Sequence, residues 1–298
     1  MAQAEVLVER LLALQNPDGG WPYNRGTSWT EPTALVVLAL QSEPSPATNA
    51  ALGRGLSWLL TKQRIPEGGW APNPSVKECT SVTSVATLAI LPLAQRARAD
   101  LHRASLDRAV TWTACQVYRN DFSLSLLLAR TLNLPPARAP GSVPWYPGTA
   151  GWVMPTSLSV LALSRAAREA NRSDLRDLAA QSCSYLLSRR CADGGWNHGG
   201  SKTRSEDATS YPETTGLALL ALRAASVTPA AESIAIAARF AAHPESIEGL
   251  SWLQLALQHP GQPVPDPPIL PKFRTARDLA LRLLALSSLK GSNVLLGS

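Results

Sequence analysis

Two glutamates stand where apolar runs begin, Glu31 in EPTALVVLAL (31–40) and Glu213 in YPETTGLALLAL (211–222). A carboxyl can give or take a proton when burial and neighbouring charges tune it. At a helix start the backbone N–H groups favour its anion, so the plain reading of both residues is a first-turn helix acid. Other chemistry-bearing residues are sparse. The four histidines, His102, His198, His243 and His259, pair with no serine or cysteine in a nucleophile motif. The four cysteines, Cys79, Cys115, Cys183 and Cys191, show no C-x-x-C spacing and read as free thiols of a reducing compartment. No glycine-rich phosphate loop follows a strand pattern.

The elements that must position Glu31 and Glu213 repeat along the chain. LLALQNPDGGW (11–21), WLLTKQRIPEGGW (58–70) and YLLSRRCADGGW (185–196) each end a helical pattern with an acid, two glycines and a tryptophan, and WYPGTAGW (145–152) reads as a weaker copy. Glycine supplies the positive φ that ends a helix, and a tryptophan ring can cover the turn. After each turn comes a helix start: EPTALVVLAL (31–40), CTSVTSVATLAIL (79–91), MPTSLSVLAL (154–163) and YPETTGLALLAL (211–222). Their hydroxyl, proline and acidic residues are N-terminal signals. One repeat is therefore helix, tight turn, helix, a pattern that builds rings and solenoids.

The periodicity predicts about twelve helices in two layers over residues 1–298 as one domain. First members, with wet faces, fall near 3–16, 47–63, 102–117, 173–190, 229–241 and 273–289. Second members, apolar nearly all round as buried helices are, fall near 30–41, 79–97, 121–133, 153–170, 208–225 and 245–258. The C-terminal helix is expected to close on the N-terminal repeat. If all inner helices run the same way, their positive dipole ends gather at one rim, which suits an anion such as a diphosphate, above an apolar middle that suits a hydrocarbon.

Gln15 to Trp21, with its Asp-Gly-Gly-Trp ending, resembles the QW motif of squalene–hopene cyclase and its relatives, and RGLSWLLTKQRIPEGGW (54–70) is similar over the longer form. Gln63 departs by one inserted residue, and Arg189 or Arg190 replaces glutamine in the third copy. The resemblance covers about residues 1–225 and implies an all-α (α/α)6 toroid of the terpenoid cyclase and protein prenyltransferase superfamily. Class II terpene cyclases protonate an alkene or epoxide with an Asp of a D-x-D-D-T-A motif. Aligning Thr33-Ala34 with that motif places Glu31 on the acid's position, with Trp29 and Pro32 replacing the other two aspartates. The same resemblance calls for cation-stabilising aromatics. The candidates for the cavity or its mouth are Trp29, Phe122, Trp145, Tyr146, Tyr211 and Trp252, with Glu213 beside them. The prenyltransferase branch binds zinc through Asp, Cys and His. Cys79 could take the Cys position, but Lys77 stands where the Asp belongs and His198 falls in a turn, so neither a metal nor another cofactor is expected.

Three functions stay open: a terpene-cyclase-like enzyme for a linear isoprenoid, a non-catalytic toroid holding a lipid or protein partner, and a zinc-dependent prenyltransferase. The net charge of +6 comes mostly from scattered arginines, without the Lys/Arg runs of nucleic-acid binders. No signal peptide or membrane-spanning run is evident, which points to the cytoplasm. NHGGSKTRSEDATSYPE (197–213) is polar and precedes an inner helix, so it reads as a rim loop or a connector. HPGQPVPDPPILPKF (259–273) holds six prolines and reads as an extended strap over one end of the barrel, a packed connector or a point of peripheral membrane contact through Ile269 and Leu270.

Overall fold

The computed structural model describes residues 3–96, 100–119, 131, 138–199, 209–258, 264 and 266–297. Among them are eleven helices: α1 (Gln3–Ala13), α2 (Thr30–Leu40), α3 (Pro46–Lys62), α4 (Val82–Arg96), α5 (Asp100–Cys115), α6 (Val153–Glu169), α7 (Ser173–Ser188), α8 (Pro212–Ala224), α9 (Ala231–Ala242), α10 (Ile247–Leu257) and α11 (Ala276–Leu289). Two short antiparallel strands, β1 (Val143–Pro144) and β2 (Gly151–Trp152), precede α6.

Six helices form a closed ring in the order α2, α4, α6, α8, α10, α11 and back to α2. They are the helices without a polar stripe, and one apolar cluster runs through all six. Helices α1, α3, α5, α7 and α9 pack outside them and keep exposed faces. The chain is thus the expected all-α toroid in two layers. Beyond their first turns, the described stretches of the inner helices are buried almost all round. From Ala34 to Leu40, for example, no residue is more than 1% exposed. The described inner-helix side chains are thus largely withdrawn from solvent.

One expectation about the ring changes. The segment 273–289 was expected in the outer layer, but α11 is an inner helix: Leu279, Leu281, Leu283 and Leu284 point in different directions around it and all are buried. The expected inner helix near 121–133 lies outside the described residues except for position 131. α4 packs directly on α6, with Ser84 Oγ 3.0 Å from Ser159 Oγ.

The proline-rich segment explains how α11 can join the ring. A short turn after α10 would send the next helix back antiparallel. Instead the described strap residues run along the flank of α10 and α11, correcting the expectation of a cover over the end. Gln254 of α10 donates to Asp266 Oδ1 at 2.9 Å, and the fully buried Arg282 of α11 pairs with Asp266 and with Gln254 Oε1 at 2.7 Å. The chain then returns to the starting rim, where Ala276 N–H donates to Tyr23 O at 2.6 Å. Thr275 caps α11 reciprocally with Asp278.

The turn motif works as a clamp between successive repeats. Trp21, Trp70 and Trp196 are fully buried, and their indole N–H groups donate to Leu11 O, Leu59 O and Leu186 O at 2.6–2.7 Å, closing the end of the preceding outer helix. Their backbone N–H groups donate to Thr33, Thr83 and Thr215 Oγ1 at 2.8–2.9 Å, fixing the start of the inner helix. Gln15 bridges Gly19 O and Ala51 O, and Gln63 bridges Gly68 O and Ser105 O, so each glutamine ties its turn to the next outer helix. Gly19 and Gly68 adopt φ of +94° and +89°, and a Cβ on either would sit 2.7 Å from a carbonyl oxygen of that next helix.

The fourth copy is placed differently from the WYPGTAGW reading. Val143 N–H donates to Thr156 Oγ1 at 2.9 Å, and Gly141, at φ +81°, abuts Gln181 O of α7. Val143 therefore occupies the turn-tryptophan position. Trp152, paired across the ladder with Val143 as Trp29 is with Trp21, is the N-cap residue of α6.

Candidate functional site at the N-terminal rim

The inner helices start at a common rim, and the first turns of four of them carry charged side chains. Glu31, Glu213 and Glu248 are the second residues of α2, α8 and α10, and Arg277 is the second residue of α11. Equivalent positions on helices around a ring point to equivalent places, which is why four residues far apart in sequence assemble here.

Arg277 is the hub. Its Nε lies 3.2 Å from Glu31 Oε1, and its terminal nitrogen donates to Glu248 Oε1. All three side chains are only about one-fifth exposed, at 19%, 19% and 20% for Arg277, Glu31 and Glu248. Burial opposes the Arg277 charge, but Glu31 and Glu248 outweigh it and hold the guanidinium charged more firmly than usual. Tyr23 donates its phenol to Glu31 Oε2; burial, then the charge of Glu31, push that phenol well above its ordinary range. Burial pushes the Glu248 carboxyl up to about 7, with Arg277 acting against the shift and Glu31, Glu213 and Asp278 adding to it. Glu213 accepts from Ser246 Oγ at 2.6 Å, linking the start of α8 to the cap of α10. A pocket of about 270 Å³ opens beside this group, with Tyr23, Ser246, Glu248, Lys272, Arg274 and Arg277 in its wall.

Aromatic residues also stand at the starts of the inner helices. Trp29, Trp152 and Tyr211 are the N-cap residues of α2, α6 and α8. Trp29 meets Tyr23 edge-on at 5.5 Å, and His198 lies between Trp152 and Tyr211 at 6.3 and 5.2 Å. Trp145 is half-buried beside the start of α4, where its carbonyl accepts from Ser81 N–H at 3.1 Å, while Tyr146 and Tyr211 are 44% and 45% exposed.

Of the residues singled out from sequence, Glu31, Glu213, Trp29, Trp145, Tyr146 and Tyr211 lie at this rim. Trp252 does not: it is 3% exposed in the middle of α10, packed against Gly216 of α8, and belongs to the core. Phe122 and the polar positions 200–208 fall outside the described residues. Sequence reasoning missed Tyr23, Trp152, Glu248 and Arg277. The usable signal was position: once Glu31 and Glu213 are second residues of inner helices, the second residues of the helices after Ser246 and Thr275 are Glu248 and Arg277.

The expectation of an anion-seeking rim is corrected as well. Three glutamates and Asp278 already stand in the first turns of α2, α8, α10 and α11, and Arg277 is shared between two of them, so those four dipole ends are answered from within the chain. For the zinc reading, Cys79 is buried near the Gly69 turn, where desolvation and then the charge of Glu67 push its thiol up. Among the described residues, no three His, Cys, Asp or Glu side chains gather closely enough to hold a metal ion, and no helix is long and apolar enough to cross a membrane.

No protein-family model and no curated protein matches the chain. Solved structures do. The type II terpene cyclase MstE from Scytonema is 19% identical, with a TM-score of 0.52 over 86% of this chain and 71% of the cyclase. An unsaturated glucuronyl hydrolase specific for heparin is 11% identical, with a TM-score of 0.63 over 98% and 96% of the two chains. A GH8 endo-beta-1,4-glucanase from an Achatina fulica gut metagenomic library is 15% identical, with a TM-score of 0.62 over 97% and 99%. At these identities the likeness is one of fold, and the fold is shared by different chemistries.

Proposed function

We propose that this chain is a terpene-cyclase-like enzyme that transfers a proton to a neutral linear isoprenoid at its N-terminal rim. The observation that carries the reading is the convergence of Glu31, Glu213, Glu248 and Arg277 at one rim, beside a pocket of about 270 Å³ and among aromatic N-cap residues. Carboxyls supply the proton, and Trp29, Tyr23, Trp152 and Tyr211 offer π-faces to the positive charge that protonating an alkene creates. A variant of the MstE cyclase binds geranylgeranyl dihydroxybenzoate, so a toroid of this shape accommodates such a chain. The acidic first turns of α2, α8, α10 and α11 favour a neutral polyene over a diphosphate.

The test is incubation with squalene, farnesyl diphosphate and geranylgeranyl diphosphate, followed by product analysis, beside a Glu31→Gln variant. Product from the neutral polyene, reduced in the variant, is the expected result, and no product from any substrate refutes the enzyme. The packed inner layer specifically favours a second reading, a non-catalytic toroid whose rim binds a lipid or a protein partner. That reading predicts saturable polyene binding without turnover.

A further inference from the structure

We infer that Glu248, which belongs to no recognisable motif, is the group that gives up the proton, and that Arg277 and Glu31 position it. This rests on the proton-transfer reading above and names its donor.

The geometry separates the two glutamates bound to Arg277. Glu31 is contacted at both oxygens: Oε2 accepts from Tyr23, and Oε1 lies 3.2 Å from Arg277 Nε in an ion pair. Those two contacts leave a substrate less access to Glu31 than to a carboxyl with an unengaged oxygen. Glu248 is engaged only at Oε1, by Arg277; Oε2 has no partner among the described residues, and the side chain lines the pocket. Charge balance points the same way. Glu31 on α2, Glu213 on α8 and Glu248 on α10 crowd around Arg277 on α11. Asp278 on α11, Glu245 before α10, Lys272 in the strap, Arg274 before α11 and the Tyr23 phenol are the other charged and titratable groups described around Glu248. Arg277 is shared between two largely buried carboxylates with a third nearby, an arrangement that favours keeping a proton within the cluster. Burial places it on Glu248, consistent with the upward displacement of that carboxyl to about 7.

In the step itself, the Glu248 O–H bond breaks and its electrons stay on the carboxylate. The π electrons of the alkene form the new C–H bond and leave a cation, which Arg277 keeps separate from Glu31. Loss of a proton from the cation to water ends the reaction, and Glu248 is reprotonated from solvent through the open pocket. Arg277 holds Oε1 in place so that Oε2 faces the substrate, and Tyr23 fixes Glu31 on the far side of Arg277.

The experiment is a pH titration of the glutamate carboxyls in the full chain by ¹³C-detected NMR, in wild type and in Glu248→Gln and Glu31→Gln variants. A resonance titrating near neutrality, absent from Glu248→Gln, is expected. In Glu31→Gln, where Arg277 is freed for Glu248 alone, that titration moves down by on the order of one pH unit. Turnover of the neutral polyene falls about 100-fold or more in Glu248→Gln, with partial recovery in Glu248→Asp. Titration of Glu248 in the ordinary carboxylate range, an upward move in Glu31→Gln, or undiminished turnover in Glu248→Gln overturns the assignment. A neutral titration with no turnover of any polyene by wild type instead overturns the enzymatic reading, and the donor falls with it.

Discussion

Replacing Thr83 by valine removes one oxygen from the inner layer and preserves the side-chain shape. Thr83 is 0% exposed, and its Oγ1 accepts the backbone N–H of Trp70, itself 0% exposed, at 2.9 Å. In Thr83→Val that N–H stays buried with no acceptor in place, which costs about 1–3 kcal/mol. Thr87 is a matched control one helical turn along, equally buried, with Oγ1 donating at 2.7 Å to the carbonyl of Thr83. That carbonyl keeps its helical position without the hydroxyl, and such back-bonding does not strengthen a helix, so Thr87→Val should cost less than about 0.5 kcal/mol. The assay is the urea midpoint with the transition slope compared across variants. Thr33→Val and Thr215→Val should match Thr83→Val, because their bonds from Trp21 and Trp196 have the same length within 0.1 Å. Equal losses at Thr83 and Thr87, or no measurable loss at Thr83, would refute the claim that the turn tryptophans are anchored through their backbone.

The buried Arg282 and the partly exposed Asp266 should respond unequally, because water can reach one and not the other. Asp266→Ala strands a buried guanidinium and should cost about 3–5 kcal/mol, whereas Arg282→Met lets the carboxylate rehydrate and should cost less; denaturant melts of both variants decide the order. The raised Glu248 pKa also predicts a pH dependence of stability. Its contribution is fully present below the unfolded value of about 4.5 and is lost as pH rises through about 7. Wild type should therefore lose up to about 3 kcal/mol relative to Glu248→Gln between pH 5 and pH 8, measured by urea unfolding at each pH; a flat difference contradicts the burial.

The repeat was readable because its parts lie close together in sequence: Gln15, the Gly-Gly turn, Trp21 and the following hydroxyl are one local device, copied. The device misled where side-chain identity departed from position. Trp152 resembles a turn tryptophan, yet Val143 takes that place, since what the turn requires is Gly141 against the next outer helix and a backbone N–H for Thr156. α11 departs from its expected outer place because the strap returns the chain to the starting rim, and its arginines are buried, Arg277 in the rim cluster and Arg282 under the strap. The same error hid Arg277 from the site, and without Arg277 there was no reason to single out Glu248. Trp252 failed for the opposite reason: a tryptophan on an apolar helix is a core residue unless something opens a space in front of it.

The strap has a consequence for how the ring assembles. Most packing joins elements adjacent in the chain, but closure joins its two ends: Ser287 to Ser42, Lys290 to Glu43 and Arg282 to Gln3. The toroid therefore has a seam. An arc of repeats can zip up locally, each clamp adding its neighbour, before the last inner helix is seated. Chain entropy resists that final step only weakly, since spanning nearly the whole chain instead of a single repeat is little more than two doublings of loop length, on the order of 1–1.5 kcal/mol. The seam is thus the joint that closes last, and it passes directly through the rim where Glu31 and Arg277 meet.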